Sequence, residues 1–359
     1  MLLGLFIHSS LTYGPSDKEL WHIKDVNATN IFFDIAALFI HYFRIPVFFL
    51  LGGFFGALLY HEKGSGYMLM NRTKRILIPA IISNIILWPL LILSHFYVAS
   101  KTGNVNELMN RFHFENTISY YLIPRNSFNL WFLYYYYVIT IFFWAVSRYN
   151  TCRSIVFMKI KGVFFKIFQN QFSVLTLLPF PIIIILLLSQ LKTIETPPDF
   201  ILDIPSLLFY LLFYSYGWFL YRNKNNFQIL STKAGLFVLL GLVIFIIKLL
   251  TIAYDNYYLS VFLNSYITVL LAIGLMGLAY RIQQTINPVI QYLSYSSYWI
   301  YLIHVPIVIL LSGFVLDFPL NVFIKFLIVL VFTFILSTLT YHFMVRGTFI
   351  GKFLNGKKF

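Results

Sequence analysis

The sequence predicts an all-α, polytopic integral membrane helix bundle of about ten transmembrane helices, and three observations predict it. Sixty per cent of the residues are hydrophobic and 11% are charged, where soluble domains carry about 25% charge. The mean hydropathy is +0.80. The apolar residues also fall into runs near the ~20 residues that a spanning helix needs. This composition excludes an ordinary soluble enzyme and excludes disorder.

Nine runs qualify in order: 32–60, 76–98, 130–146, 172–191, 206–221, 235–253, 257–280, 297–313 and 319–345. A tenth, Met1–Tyr13, opens the chain. At ~1.5 Å per residue it reaches ~20 Å, short of the ~30 Å hydrocarbon core. It lacks the basic n-region of a signal peptide, so it is expected to be the outer part of a span that starts further upstream. Residues 99–129 are expected to form a long outside loop of the kind that is often functional. In 147–171, Arg148, Arg153, Lys159, Lys161 and Lys166 alternate with Phe, Ile and Val, the pattern of an amphipathic helix on the inner surface. There is no solenoid repeat, and no polar stretch is long enough to bury a core of its own. The chain therefore reads as one membrane-embedded domain over 1–359.

The charges sort by side. With the N-terminus inside, the loops after helices 2, 4, 6 and 8 plus the C-terminal tail hold 17 of the 26 Lys+Arg and one acid, Glu62; the opposite loops hold six basic residues and ten acids. Basic residues set topology, so both termini are expected to be cytoplasmic. The net charge of +14 is then explained by inner loops facing anionic lipid, and nucleic acid is not an expected partner. The single cysteine, Cys152, excludes an internal disulfide and a Cys-based zinc site. No metal is expected.

Ionisable residues within spans are the first functional candidates. His8 lies one turn from the outer end of helix 1. Its imidazole can accept and return a proton near neutral pH, or it can simply hydrogen-bond Ser or Tyr between helices. In helix 2, Asp34 and His41 are seven residues apart and share a face, and Arg44 follows His41 by three. Arg44 lies beside Pro46, which frees a backbone carbonyl. It should face a polar cavity, an anionic ligand or, as a structural pair, Asp34. Gly52 and Gly56 form a GxxxG pair for close helix approach. Arg72, Lys74 and Arg75 precede Pro79, either as an ordinary positive flank or as a phosphate-binding cluster. Trp131, in NLWFLYYYYV, belongs either to an aromatic belt or to a platform in a sugar-binding cavity with Asp34 and His41. His304 is followed by Pro306 and reads equally as a core histidine or a catalytic one. Lys248 and Lys325 lie near helix ends, where they can snorkel. No Walker A, GxSxG or HExxH motif is present. A transporter and a membrane enzyme with its site inside the bundle remain.

HSSLTYG, FRIPVFFLLGGFF, RTKRILIP, LWFL, YSSYWIYLIHVPI and YHFMVRGTFIGKFLNG follow the order and spacing of the acyltransferase-3 family, and across nearly the whole chain the sequence resembles that family. The closing YHFMVRGTFIGKFLNGKK and the FRIPVFF variant resemble its branch associated with succinylation of periplasmic glucans. The resemblance implies a ten-helix enzyme of the bacterial inner membrane that moves an acyl group, succinyl or acetyl, to a hydroxyl of a periplasmic or cell-surface glycan. Acyl-CoA would be the co-substrate, with no permanently bound cofactor. By motif, His8 matches the family's helix-1 histidine, the expected base. Arg44 matches its FR-x-P-x-FF arginine, Arg72 and Arg75 its basic cluster for acyl-CoA phosphates, and His304 its late histidine. The family's arginine eleven residues before the helix-1 histidine would fall upstream of Met1. The competing expectation is a transporter or flippase for a glycan or lipid-linked sugar, and a catalytically inactive scaffold is a third.

Overall fold

A computed structural model describes residues 2–16, 21, 23–103, 105, 124, 126–149, 155–194, 196–197, 199–222, 231–282 and 287–355. Every apolar run singled out above is helical. The helices are α1 (Leu2–Leu11), α2 (Ile31–Lys63), α3 (Ser65–Arg72), α4 (Ile78–Thr102), α5 (Trp131–Tyr149), α6 (Ile155–Gln169) and α7 (Gln171–Leu177). They continue as α8 (Pro179–Ser189), α9 (Ile204–Arg222), α10 (Ala234–Leu250), α11 (Tyr257–Ile282), α12 (Pro288–Val315), α13 (Val322–Thr340) and α14 (Phe349–Asn355). Two π-helical turns, Thr73–Leu77 and Tyr341–Val345, follow α3 and α13. Among the described residues eight helical segments are long and apolar enough to cross a membrane, and α1 and α10 are shorter apolar helices. The chain is an all-α, multi-pass membrane bundle.

Local chemistry sets the ends. Asn287 caps α12 by accepting Val289 N–H at 2.8 Å, with Pro288 at the first helical position, where its missing N–H costs nothing. Asn321 caps α13 in the same way through Phe323 N–H at 2.9 Å. Gly64, at φ 85°, separates α2 from α3. Residues 61–75, between two of the expected spans, are helical apart from Gly64: α2 runs on to Lys63, and α3 passes through the first π turn into α4. YMLMNR is a good helix-forming stretch, and Pro79 has no N–H to give the Arg75 carbonyl, so the helix widens just before it. α4 runs on to Thr102 and stops at Gly103, φ 74°. Most of the expected 99–129 loop lies outside the described residues.

The chain divides into two compact units: Met1–Ile40, Lys74–Leu130 and Ile286–Phe359 form the first, and His41–Thr73 with Trp131–Thr285 the second. In the first unit α12 packs against α4, α13 and α1. A Cβ at Gly313 would lie 2.6 Å from Val98 Cγ2, so only glycine allows α12 that close to α4. Phe326 of α13 meets Phe6 at 5.1 Å and Phe33 at 4.9 Å between ring centres. The buried stripe of α13, Val322, Phe326, Val329, Thr333 and Ser337, keeps helical spacing, while Leu327, Val331 and Ile335 are exposed, as lipid permits.

In the second unit α10 and α11 form a closely packed pair, and α9 packs on α5, α6 and α8. The tightest crossing joins α2 to α9. A Cβ at Gly53 would lie 1.9 Å from the Tyr214 carbonyl oxygen, and one at Gly217 would lie 1.8 Å from that of Leu50. The expected Gly52–Gly56 pair serves differently: both glycines make room for side chains, Gly52 for the Tyr136 ring and Gly56 for the Tyr214 hydroxyl. The α6 helix stacks Phe164 on Phe219 of α9 at 4.4 Å and buries Phe168 completely, leaving Lys159 and Lys166 exposed.

Candidate active site

His8, half-buried near the C-terminal end of α1, lies 5.2 Å from His304 and 5.6 Å from Trp21 between ring centres. His304, 1% exposed on α12, has Nδ1 2.6 Å from the Tyr301 carbonyl oxygen. A carbonyl can only accept, so Nδ1 carries a proton and Nε2 is the basic nitrogen of the neutral ring. The same carbonyl would stabilise the doubly protonated ring. The Tyr301 hydroxyl donates to the Asn129 carbonyl. Two histidines from opposite ends of the chain thus meet in the first unit, in a setting suited to proton transfer.

The chain leaving α1 folds back beside this pair. Trp21 Nε1 donates to Thr12 Oγ1 at 3.0 Å, and Thr12 Oγ1 donates to Ser312 Oγ of α12 at 3.4 Å. Asp25 N–H bonds the Thr12 carbonyl at 3.0 Å. Lys325 Nζ lies 2.6 Å from Asp25 Oδ2 and 2.9 Å from the Leu316 carbonyl, with the ion-paired side chains only 3% and 2% exposed. Lys325 therefore does not snorkel: it is committed to a buried ion pair. Lys248 likewise donates to Ser260 Oγ at 2.7 Å. Asp34 Oδ2 accepts the Ser16 N–H at 2.9 Å, and its carboxylate fills the space a Cβ on Gly14 would need.

The second unit holds Arg44, His41, Trp131 and Arg72. Arg44 is half-buried and within electrostatic range of Tyr210. Trp131 is buried with its ring 5.5 Å from Tyr210. Tyr210 and His41 both line a small cleft, together with Tyr42, Pro46, Phe209, Thr193 and Asn264. Tyr42 O–H donates to Asn264 Oδ1 at 2.6 Å, and Asn264 Nδ2 donates to the Lys192 carbonyl at 2.7 Å, which fixes the orientation of the amide. Arg72 places its guanidinium 5.5 Å from the centre of the Tyr136 ring. Its Nε and Nη2 are buried without a hydrogen-bond partner among the described residues. Arg75, in the π turn and in the first unit, is exposed, as is Lys74. The basic cluster is thus two environments, one guanidinium turned in among tyrosines and two cations turned out. Among the described residues no group of three His, Cys, Asp or Glu could hold a metal ion.

Sequence reasoning missed Trp21, Thr12, Ser312, the Asp25–Lys325 pair, and the Tyr42–Asn264 bond. Thr12 lies within HSSLTYG, where the histidine drew the attention, and Trp21 lies in a polar loop without a motif. The only signal for the ion pair was a lysine within an apolar run.

The family model described as Acyltransferase domain matches residues 1–342. "Glucans biosynthesis protein C" of Salmonella typhi and that of Salmonella typhimurium are each 24% identical to this chain over 377 residues, covering 99% of it and 92% of the relative. The protein of the same name from Salmonella schwarzengrund is 25% identical over 375 residues, with the same coverage. No solved structure matches.

Proposed function

The chain belongs to the acyltransferase-3 family and is an acyltransferase, and from that premise we propose that it is an O-acyltransferase of the inner membrane, with both termini cytoplasmic, acting on a glycan. The donor is acyl-CoA from the cytoplasmic side, and the acceptor is a hydroxyl of a periplasmic or cell-surface glycan. The relatives' printed name supports a glucan. Succinyl and acetyl are the two acyl groups proposed.

The observation that carries the reading is the histidine pair. His8 takes the proton of the acceptor hydroxyl as its oxygen attacks the thioester carbonyl. The C–S bond breaks, and the proton passes to the departing CoA thiolate. His304, held by the Tyr301 carbonyl, supplies positive charge to the oxyanion; Arg44 is a candidate for the same role on its motif alone. Ser9, fully buried beside His8 with no hydrogen-bond partner for its hydroxyl among the described residues, is the candidate for a covalent acyl intermediate. Arg72, with buried donors that lack an acceptor among the described residues, and exposed Arg75 serve the CoA phosphates. His41, Trp131 and Asp34 serve the acceptor side, and residues 1–359 act as one functional domain. The test is the protein reconstituted in lipid with acetyl-CoA or succinyl-CoA and a glucan. CoA release with formation of a glucan ester is the expected result. No release from either donor would overturn the reading.

A further inference from the structure

We infer that Trp21 is a specificity-determining residue: it shields His8 so that the acyl group goes to a glycan hydroxyl and not to water. This rests on the acyl-transfer reading proposed above. The competing reaction is plain chemistry. A water molecule positioned at His8 could lose its proton to the imidazole and attack the same carbonyl. The C–S bond would break, giving the carboxylic acid and CoA thiol. A transferase that uses a proton-accepting histidine must therefore keep bulk water from that base, and dry sites suppress such side reactions.

The first unit holds a large indole at the place where this is needed. Trp21 is 6% exposed, and its ring centre is 5.6 Å from that of His8. It is held there by more than packing. Its N–H bonds Thr12, which bonds Ser312 of α12. Asp25 bonds the Thr12 backbone and, through its carboxylate, Lys325 of α13. Asn27 N–H also bonds the Asp25 carboxylate at 3.2 Å. Two charges taken out of water are a poor source of net stability. What this pair does provide is a fixed position for the chain on which Trp21 rides, tied to two helices at once. The cover of the general base is thereby part of one hydrogen-bonded assembly.

The experiment separates total turnover from its destination. In the reconstituted full-length protein with acyl-CoA and glucan, CoA release counts every turnover, ester on the glucan counts transfer, and the released acid counts hydrolysis. In Trp21→Ala, CoA release is expected to continue while the hydrolysed share rises several-fold. Thr12→Val, which removes the acceptor for the indole N–H, should raise that share by less. If Trp21→Ala does not accumulate in the membrane, Trp21→Phe keeps a ring without the N–H and should behave like Thr12→Val. An unchanged ratio of acid to ester in these variants, whether or not total release falls, overturns the inference. Undiminished CoA release by His8→Ala would sink the acyl-transfer reading instead.

Discussion

The two units hold buried charge in opposite ways. In the first, a buried lysine and a buried aspartate answer each other, Lys325 to Asp25, beside the bonds of His304 to Tyr301, Trp21 to Thr12 and Thr12 to Ser312. In the second, Arg72 sits among aromatic rings, with two buried guanidinium nitrogens lacking an acceptor among the described residues. The described acids of that unit, Glu62, Asp199, Asp203 and Asp255, lie at helix ends or in loops. A satisfied network rigidifies what it holds, and a buried cation without a carboxylate is costly until an anion arrives. In the function proposed above, the first unit supplies the proton transfer and the second receives the charged or hydroxyl-rich ligand.

The largest expected effect breaks this contrast at its chemical end. General-base catalysis contributes on the order of 10²–10⁴-fold, so His8→Ala should lower CoA release by that factor while thermal unfolding in detergent changes little. Next comes the buried pair. Lys325→Met strands Asp25, and a broken buried pair costs about 3–5 kcal/mol; a lowered unfolding temperature checks it. Adding Asp25→Asn should restore most of the loss, because the stranded charge is gone. A double variant as unstable as Lys325→Met would show that Lys325 matters for some reason other than Asp25.

Smaller effects divide the basic cluster. A hydrogen bond to a charged group is worth about 1.5–3 kcal/mol, so Arg72→Gln should raise the KM for acyl-CoA by roughly 10- to 100-fold. Arg75→Gln, at an exposed position, should change it by less than about fivefold, since exposed ion pairs contribute about 0–1 kcal/mol. Equal effects would erase the distinction between the inward and outward cations. The smallest effect concerns the exposed Lys192–Asp255 pair. Hydrogen bonding to Lys192, reinforced by its charge, holds the Asp255 carboxyl below its ordinary value. Its stabilising contribution is present above the ordinary carboxylate range near pH 4 and fades as pH falls through the depressed value. Any difference in unfolding temperature between Lys192→Met and the parent should shrink along that same acid limb.

Hydropathy made the spans legible because a segment crossing lipid must satisfy its backbone internally, and in a helix it does so with a long unbroken apolar run. It failed at 65–75, where Gly64, Gly66 and the basic run imitate a loop although YMLMNR favours a helix. The candidate site residues stood out for the same reason as the spans: a histidine or arginine within an apolar run is conspicuous. Their pairings were not. His8 and His304 meet across nearly the whole chain, and Asp25 and Lys325 are 300 positions apart, with no local spacing to announce either contact. Lys325 read as a snorkelling side chain because its position on the helix was visible and its partner was not. Trp21 carried no signal at all, since its role follows from what it covers.

The central claim is acyl transfer to a glycan hydroxyl with His8 as base. Mass spectrometry of the periplasmic and surface glycans from cells carrying the gene, with and without His8→Ala, tests it most directly. The glycan should carry an acyl mass increment that disappears in His8→Ala while the protein remains in the membrane, with the size of the increment naming the acyl group. An increment that persists in His8→Ala, or no increment from the unaltered gene, would contradict it.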